Sequence, residues 1–293
     1  MAGYNSGCDP TVVEPGNEPL VDRDRALERP RQAWWNALFS LDFLLDLVFC
    51  VLLMCVSFVL TPHQRPTPVQ TLELPGVTPE FVLPIVFDNP FTGDTVPTLM
   101  LRIIAGGVPV LTALCLSVVS PLKGSVKAWC HSYMYTMAFQ LLLVNAGKAY
   151  CGYWRPYFLV ECGFDTSSGS CTADKYDHAF RSFPSGHSAT SMSSLFHTSL
   201  RLLGATRVGS APYRIRLGAR ASVDVAGVLT FACLLPTVLA CWIAASRVHD
   251  NAHHPADVVT GALIGGSSAL LFYLRYFQAP FGPNADRPRQ IVQ

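Results

Sequence analysis

Lys148 and Arg155 stand seven residues apart in 148-KAYCGYWRP-156, Ser185, Gly186 and His187 fall in 182-SFPSGHS-188, and Arg247, His253 and Asp257 fall in 246-SRVHDNAHHPAD-257. Together these residue types can bind and break a phosphate ester without a metal. Lys and Arg supply fixed positive charge, and the Arg fork matches phosphate oxygens. Ser185 and Gly186 open a predicted helix, whose first N–H groups and dipole favour an anion, and Gly186 lets the backbone approach closely. His253 and Asp257 are four apart, so on a helix they stack on one face. The carboxylate can then accept the ring N–H, fix the tautomer and stabilise an imidazolium, which suits His253 to nucleophilic attack on phosphorus. Pro255 is tolerated in a first helical turn. His187, beside the cradle, can protonate the departing oxygen and afterwards activate water. If the helix carrying Lys148 continues, Arg155 lies on the same face two turns on.

The elements that position these residues are apolar. Of 293 residues, 50% are hydrophobic and only 14% charged, against roughly 25% charged in ordinary soluble domains. A net charge of +1 argues against a nucleic-acid partner. Six stretches, near 38–60, 97–119, 126–147, 187–204, 222–246 and 255–277, approach the ~20 residues of a membrane-spanning helix. The fourth, rich in Ser and Thr, is the least apolar. Continuous apolar runs exclude a strand barrel and require helices. The expectation is an all-α polytopic membrane protein with six transmembrane helices and a catalytic bundle built from spans three to six. A flexible tail (1–34) precedes the six-span domain (35–277), and a short tail (278–293) follows it. Residues 1–33 lack an apolar core segment, so no cleaved signal is expected and the first span serves as anchor.

Fourteen Lys and Arg residues fall on one side of this topology and six on the other, with Arg102 inside a span. Both tails are therefore expected in the cytosol. Counting crossings from there puts all three polar clusters on the same luminal or extracellular face. The proline-rich 61–96 connection reads as an irregular outer loop.

Other residues have plainer readings. The step to Asp257 selects His253 over His254 as nucleophile, and His197 and His249 read as structural or exposed. A metal site is the competing reading of His249, Asp250, His253, His254 and Asp257. The surrounding cations repel a metal and favour phosphate, so neither metal nor cofactor is expected. Cys50, Cys55, Cys115, Cys130, Cys233 and Cys241 lie in spans and read as buried packing residues. Asp42 suits a helix N-terminus, Asp46 has no clear reading, Arg102 reads as snorkelling, Gly261 and Gly265 as a close helix contact, and Pro236 as a kink in span five.

The Lys-x6-Arg-Pro, Pro-Ser-Gly-His and Ser-Arg-x5-His-x3-Asp segments resemble the three signature motifs of the type 2 phosphatidic acid phosphatase superfamily. Their order and the six-span layout also match. Within it, 89-NPFTGDTVP-97 and 247-RVHDNAHHPADVVTG-261 are similar to the lipid phosphate phosphatases. The resemblance covers about residues 35–277 and lacks no motif residue; Trp154 inside the first motif is a local departure. It implies an integral-membrane, magnesium-independent phosphatase at the outer or luminal face. Substrates would be phosphatidate, lysophosphatidate, sphingosine phosphate, ceramide phosphate or diacylglycerol pyrophosphate. His253 would be the nucleophile, Asp257 its orienting partner and His187 the acid, with Lys148, Arg155, Ser185, Gly186 and Arg247 binding phosphate. Relatives often carry a cysteine pair between the first two motifs, where Cys162 and Cys171 flank a Gly/Ser-rich turn, so a disulfide is expected. The partners implied are a lipid phosphate and the bilayer. Plasma membrane and endoplasmic reticulum both fit, and oligomeric state is left open, a homo-oligomer included. Competing readings are a polyprenyl pyrophosphate phosphatase or phosphotransferase of the same superfamily, a silent lipid-binding protein, and a transporter.

Overall fold

A computed structural model describes residues 40–61, 63–72, 80–119, 125–210, 213–216 and 222–289. The expected tail of residues 1–34 lies outside the described residues. Helices α1 (Leu41–Val59), α2 (Thr98–Val119), α3 (Ser125–Cys151), the short α4 (Phe158–Cys162), α5 (Gly186–Thr206), α6 (Ala226–His249) and α7 (Pro255–Tyr276) run in chain order. The six long ones fall on the six expected stretches. Helix α6 starts at Ala226 rather than 222 because Ser222–Asp224 is a strand paired antiparallel with Arg214–Arg216. The 61–96 connection is more regular than expected: Gln70–Leu72 pairs with Glu80–Val82, and a 3-10 turn covers Ile85–Phe87. Its Val69, Leu83 and Phe87 pack on the Tyr157–Phe158 cluster, giving the segment an apolar anchor that a proline count does not reveal.

Among the described residues, four helices, α1, α2, α6 and α7, are long and apolar enough to cross a membrane. Leu45, Leu52, Ile103, Leu111, Phe231 and Leu263 on these helices are each more than half exposed. So large an apolar surface suits lipid, where the helices satisfy their own backbone. The protein is an integral membrane protein. Arg102 of α2 is exposed.

Helix α5 is the hub, packed against α2, α3, α6 and α7. Its modest hydropathy reflects that position. Ser188, Ser191, Ser193 and Ser194 are fully buried, and small side chains let neighbouring backbones come near. The hydroxyls of Ser191, Ser193 and Ser194 find carbonyls, as Ser194 Oγ does on Ala105 of α2 at 2.7 Å. Ser199 Oγ accepts the Thr237 N–H just past Pro236 of α6, at 3.2 Å. The closest seam is with α7. A Cβ on Gly261 would meet the Ser185 carbonyl, and one on Gly265 the Ala189 carbonyl and, at 2.9 Å, the Ser193 nitrogen. The expected close contact at these two glycines is present.

Asp46 joins α1 to α3: Tyr135 OH donates to its Oδ1 at 2.8 Å, and His131 Nε2 stands 3.3 Å from its Oδ2. The cysteine expectation holds only in part. Cys50 and Cys233 are buried and Cys130 half-buried, but Cys55, Cys115 and Cys241 are exposed. A small apolar thiol is as well suited to a lipid-facing surface as to a core, so span membership does not fix its burial. Beyond α7 the chain turns back, with the Arg289 N–H donating to the Tyr276 carbonyl at 2.8 Å.

Candidate active site

The C-terminal ends of α3 and α6 and the N-terminal ends of α5 and α7 meet at one end of the bundle, bringing the three polar segments together. Two local expectations need correction. Helix α3 stops at Cys151, so Lys148 and Arg155 do not share a helical face. Gly152 takes a left-handed φ of 51°, its missing Cβ leaving room for the His63 carbonyl. Arg155 lies in the returning loop, its N–H bonded to the Ala179 carbonyl at 2.8 Å. Likewise His253 precedes α7 rather than riding on it. The 250–254 turn wraps the end of α6, with the Arg247 carbonyl accepting the Ala252 and His253 N–H groups at 3.0 and 3.2 Å. Asn251 supplies the left-handed residue at φ 55°.

Asp257, in the first turn of α7, is almost fully buried. Its Oδ2 accepts Ser182 Oγ–H at 2.6 Å and the His254 N–H at 3.0 Å. His253 Nδ1 stands 3.7 Å from that same oxygen, within ion-pair reach but beyond a hydrogen bond. The other oxygen, Oδ1, and His253 Nδ1 are buried without a protein partner. The spacing therefore brings acid and imidazole together through the helix cap rather than along a helical face. Burial holds His253 well below the ordinary imidazole range; the nearby Arg155 and Lys148 charges add to the effect, and Asp257 opposes it. That favours the neutral ring, the form a nucleophilic imidazole requires.

At the start of α5 the Ser185 N–H is committed to the Asp257 carbonyl at 3.0 Å, and Ser185 Oγ accepts from Ser188 Oγ at 3.1 Å. Among the described residues, the Gly186 and His187 N–H groups have no acceptor. The backbone donors are thus one residue further along than the motif suggests. A Cβ on Gly186 would stand 3.4 Å from Lys148 Nζ, which puts the ammonium over this helix start. His187 Nε2 lies 3.2 Å from the Val96 carbonyl, so that nitrogen carries a proton and the ring is tethered to the entry of α2.

The three expected phosphate cations differ. The Lys148 side chain has no hydrogen bond or ion pair among the described residues. Arg155 makes one long bond, Nη1 to the Ala252 carbonyl at 3.3 Å, and its Nε is buried without a partner. Arg247 is 1% exposed and heavily engaged. Its Nη1 meets Asp94 Oδ1 at 2.6 Å, its Nη2 pairs with Asp250, and Ser246 Oγ accepts from Nε and Nη2 at 3.2 and 3.1 Å. Asp250 is fixed in turn by the Thr95 N–H at 2.9 Å and hydroxyl at 2.5 Å. The residues that sequence reasoning gave no role here are Asp94, Thr95, Val96 and Ser182. The first three lie in the 89–97 run, singled out for its resemblance alone.

Three of the five residues of the metal reading point away from the His253–Asp257 pair: Asp250 faces Arg247, His249 is exposed, and His254 Nε2 lies 3.1 Å from the Trp154 carbonyl. His254 thereby ties the third motif to the first. Trp154 itself packs edge-on against Phe87 and lies under the Arg65 guanidinium. His197 is buried against Ser132, 2.7 Å from its hydroxyl. The expected Cys162–Cys171 disulfide is present and staples the loop between the first two motifs.

Residues 129–280 match the family model described as PAP2 superfamily. The chain is 30% identical over 172 residues to "Lipid phosphate phosphatase 2" of Arabidopsis thaliana, covering 55% of this chain and 54% of that protein, so it spans about half the length of that relative. It is 30% identical over 218 residues to "Probable diacylglycerol pyrophosphate phosphatase 1" of Schizosaccharomyces pombe, covering 69% of this chain and 73% of that protein. No solved structure matches. With half its length matched by the family model and the three signature segments gathered at one end of its bundle, the chain belongs to the PAP2 superfamily.

Proposed function

We propose that this protein is an integral-membrane, magnesium-independent lipid phosphate phosphatase that works through a phosphohistidine. The observation that carries this reading is the convergence, at one end of the bundle, of Lys148, Arg155 and Arg247, the free N–H groups of α5 and two histidines. Three side-chain cations and backbone dipoles can neutralise a phosphoryl group and the charge it gathers in the transition state. The similarity to plant and yeast proteins named for lipid phosphate and diacylglycerol pyrophosphate hydrolysis supports a lipid phosphomonoester or pyrophosphate ester as substrate. Phosphatidate, lysophosphatidate, sphingosine phosphate and diacylglycerol pyrophosphate are the substrates to test.

His253 Nδ1 faces Asp257, leaving Nε2 to attack phosphorus. The P–O ester bond breaks as the P–N bond forms, and His187, entering as imidazolium with its Nε2–H on the Val96 carbonyl, gives its Nδ1 proton to the leaving alkoxide. Water then attacks phosphorus, His187 takes its proton, the P–N bond breaks and inorganic phosphate departs. Asp257 stabilises the imidazolium character of His253 throughout.

The membrane frame extends the reading. All six long helices are taken as spans, α3 and α5 being the inner pair shielded by more apolar neighbours. The excess of Lys and Arg on one side supports cytosolic termini and a luminal or extracellular site, in the plasma membrane or endoplasmic reticulum. The lipid would enter sideways between helices with its tails still in the bilayer. Phosphate release from that lipid panel by purified protein in detergent with excess chelator tests the proposal. Activity that survives chelation and collapses in His253→Ala and His187→Ala is expected. Folded wild-type protein inactive on every lipid would refute it.

A further inference from the structure

Arg247 has five N–H donors, and the contacts above commit four of them. Nε and one Nη2 proton go to Ser246, the other Nη2 proton to Asp250 and one Nη1 proton to Asp94. One Nη1 proton remains, too few for the two-pronged grip that makes an arginine a strong phosphate ligand. For Arg247 to hold phosphate with its fork, one carboxylate must yield. The two are unequal. The Asp250 side chain is 2% exposed and held by two further bonds from Thr95, whereas that of Asp94 is 39% exposed. Asp94 makes no other polar contact among the described residues. It also sits two residues from Val96, whose carbonyl tethers His187, so it borders the leaving-group side.

We propose that Asp94 competes with the phosphoryl group for Nη1 of Arg247, yielding it when substrate binds and reclaiming it as inorganic phosphate leaves. This rests on the phosphate-site reading above. Asp94 is then a positioning residue that weakens the hold on product. Without its charge, phosphate would bind tighter and leave more slowly.

The test uses the full-length protein in detergent, with inorganic phosphate and orthovanadate as probes in wild type, Asp94→Asn, Asp94→Ala and Arg155→Gln. In both Asp94 variants the inhibition constant for phosphate should fall about tenfold. KM and kcat should fall together, and vanadate should raise the melting temperature at lower concentration than in wild type. A carboxylate that merely braces Arg247 gives the opposite sign, with KM and the inhibition constant both rising on its removal. Unchanged or weaker phosphate binding in both variants would overturn the proposal. The Asn variant keeps the side-chain shape, and the vanadate shift needs no turnover, so an inactive variant still reports. The Arg155→Gln arm separates the two readings. Phosphate inhibition undiminished there would mean the anion binds elsewhere, and the site reading would fail with this one.

Discussion

Asp257→Asn isolates the charge that the proposed mechanism places behind the nucleophile. The substitution keeps shape, and one amide oxygen can still accept from Ser182 and from the His254 N–H, now 2.6 and 3.0 Å from Oδ2. What it removes is the attraction between a carboxylate and the imidazolium that His253 becomes on attack. At 3.7 Å and an effective dielectric near 20, that attraction is about 4–5 kcal/mol. An amide dipole retains part of it, leaving a loss of about 3 kcal/mol, roughly a hundredfold in rate. The fold should lose only about 1–2 kcal/mol, since two charge-assisted hydrogen bonds become neutral ones. The assay is kcat/KM on phosphatidate in mixed micelles with chelator, beside a melting curve in the same detergent. A well-folded Asp257→Asn protein within about threefold of wild type would refute the role given to this carboxylate.

Three further outcomes follow from the same geometry. Gly265→Ala should destabilise the protein by roughly 2–4 kcal/mol, because its Cβ meets the Ala189 backbone, while Gly266→Ala, whose Cβ would stand 3.6 Å from Met192 Cγ, should be tolerated; the two melting temperatures decide it. His254→Ala should keep activity within about tenfold while costing about 1 kcal/mol for the lost tie to the Trp154 carbonyl, and His253→Ala should abolish turnover; phosphate-release assays with melting controls separate them. His253 is held neutral in the fold but gains a proton near pH 6.5 when unfolded, so its contribution to stability is complete above about pH 6.5 and is lost as pH falls towards its depressed folded value. Melting temperature should therefore drop on the acid side, and His253→Gln should flatten part of that slope.

The long helices were legible because each carries its own apolar run, and the eight proposed site residues could be named because three segments hold them at fixed spacings. What spacing alone could not give is how those residues are held. Lys148 and Arg155 read as one helical face, yet Gly152 breaks the helix between them to admit the His63 carbonyl. His253 and Asp257 read as a helical i, i+4 pair, yet the imidazole sits before the cap and the carboxylate serves that cap. Arg247 read as a free phosphate ligand, but its carboxylate partners come from Asp250 and from Asp94, 153 residues away. Such contacts between distant segments have no signature in local periodicity. The Ser-rich α5 shows the reverse case: it looked the weakest as a span because it is the innermost helix, where small hydroxyls serve packing better than large apolar side chains.

In the proposed reaction His253 carries the phosphoryl group. The most direct measurement is covalent labelling of His187→Ala protein with a radiolabelled aryl phosphate, a substrate whose activated leaving group needs no acid. The first step then proceeds while hydrolysis of the intermediate, deprived of its base, is slowed. An acid-labile, base-stable label is expected on the peptide containing His253, absent from the His187→Ala/His253→Ala double variant. Turnover of the same substrate with no label on that peptide, or with a label that persists without His253, would contradict it.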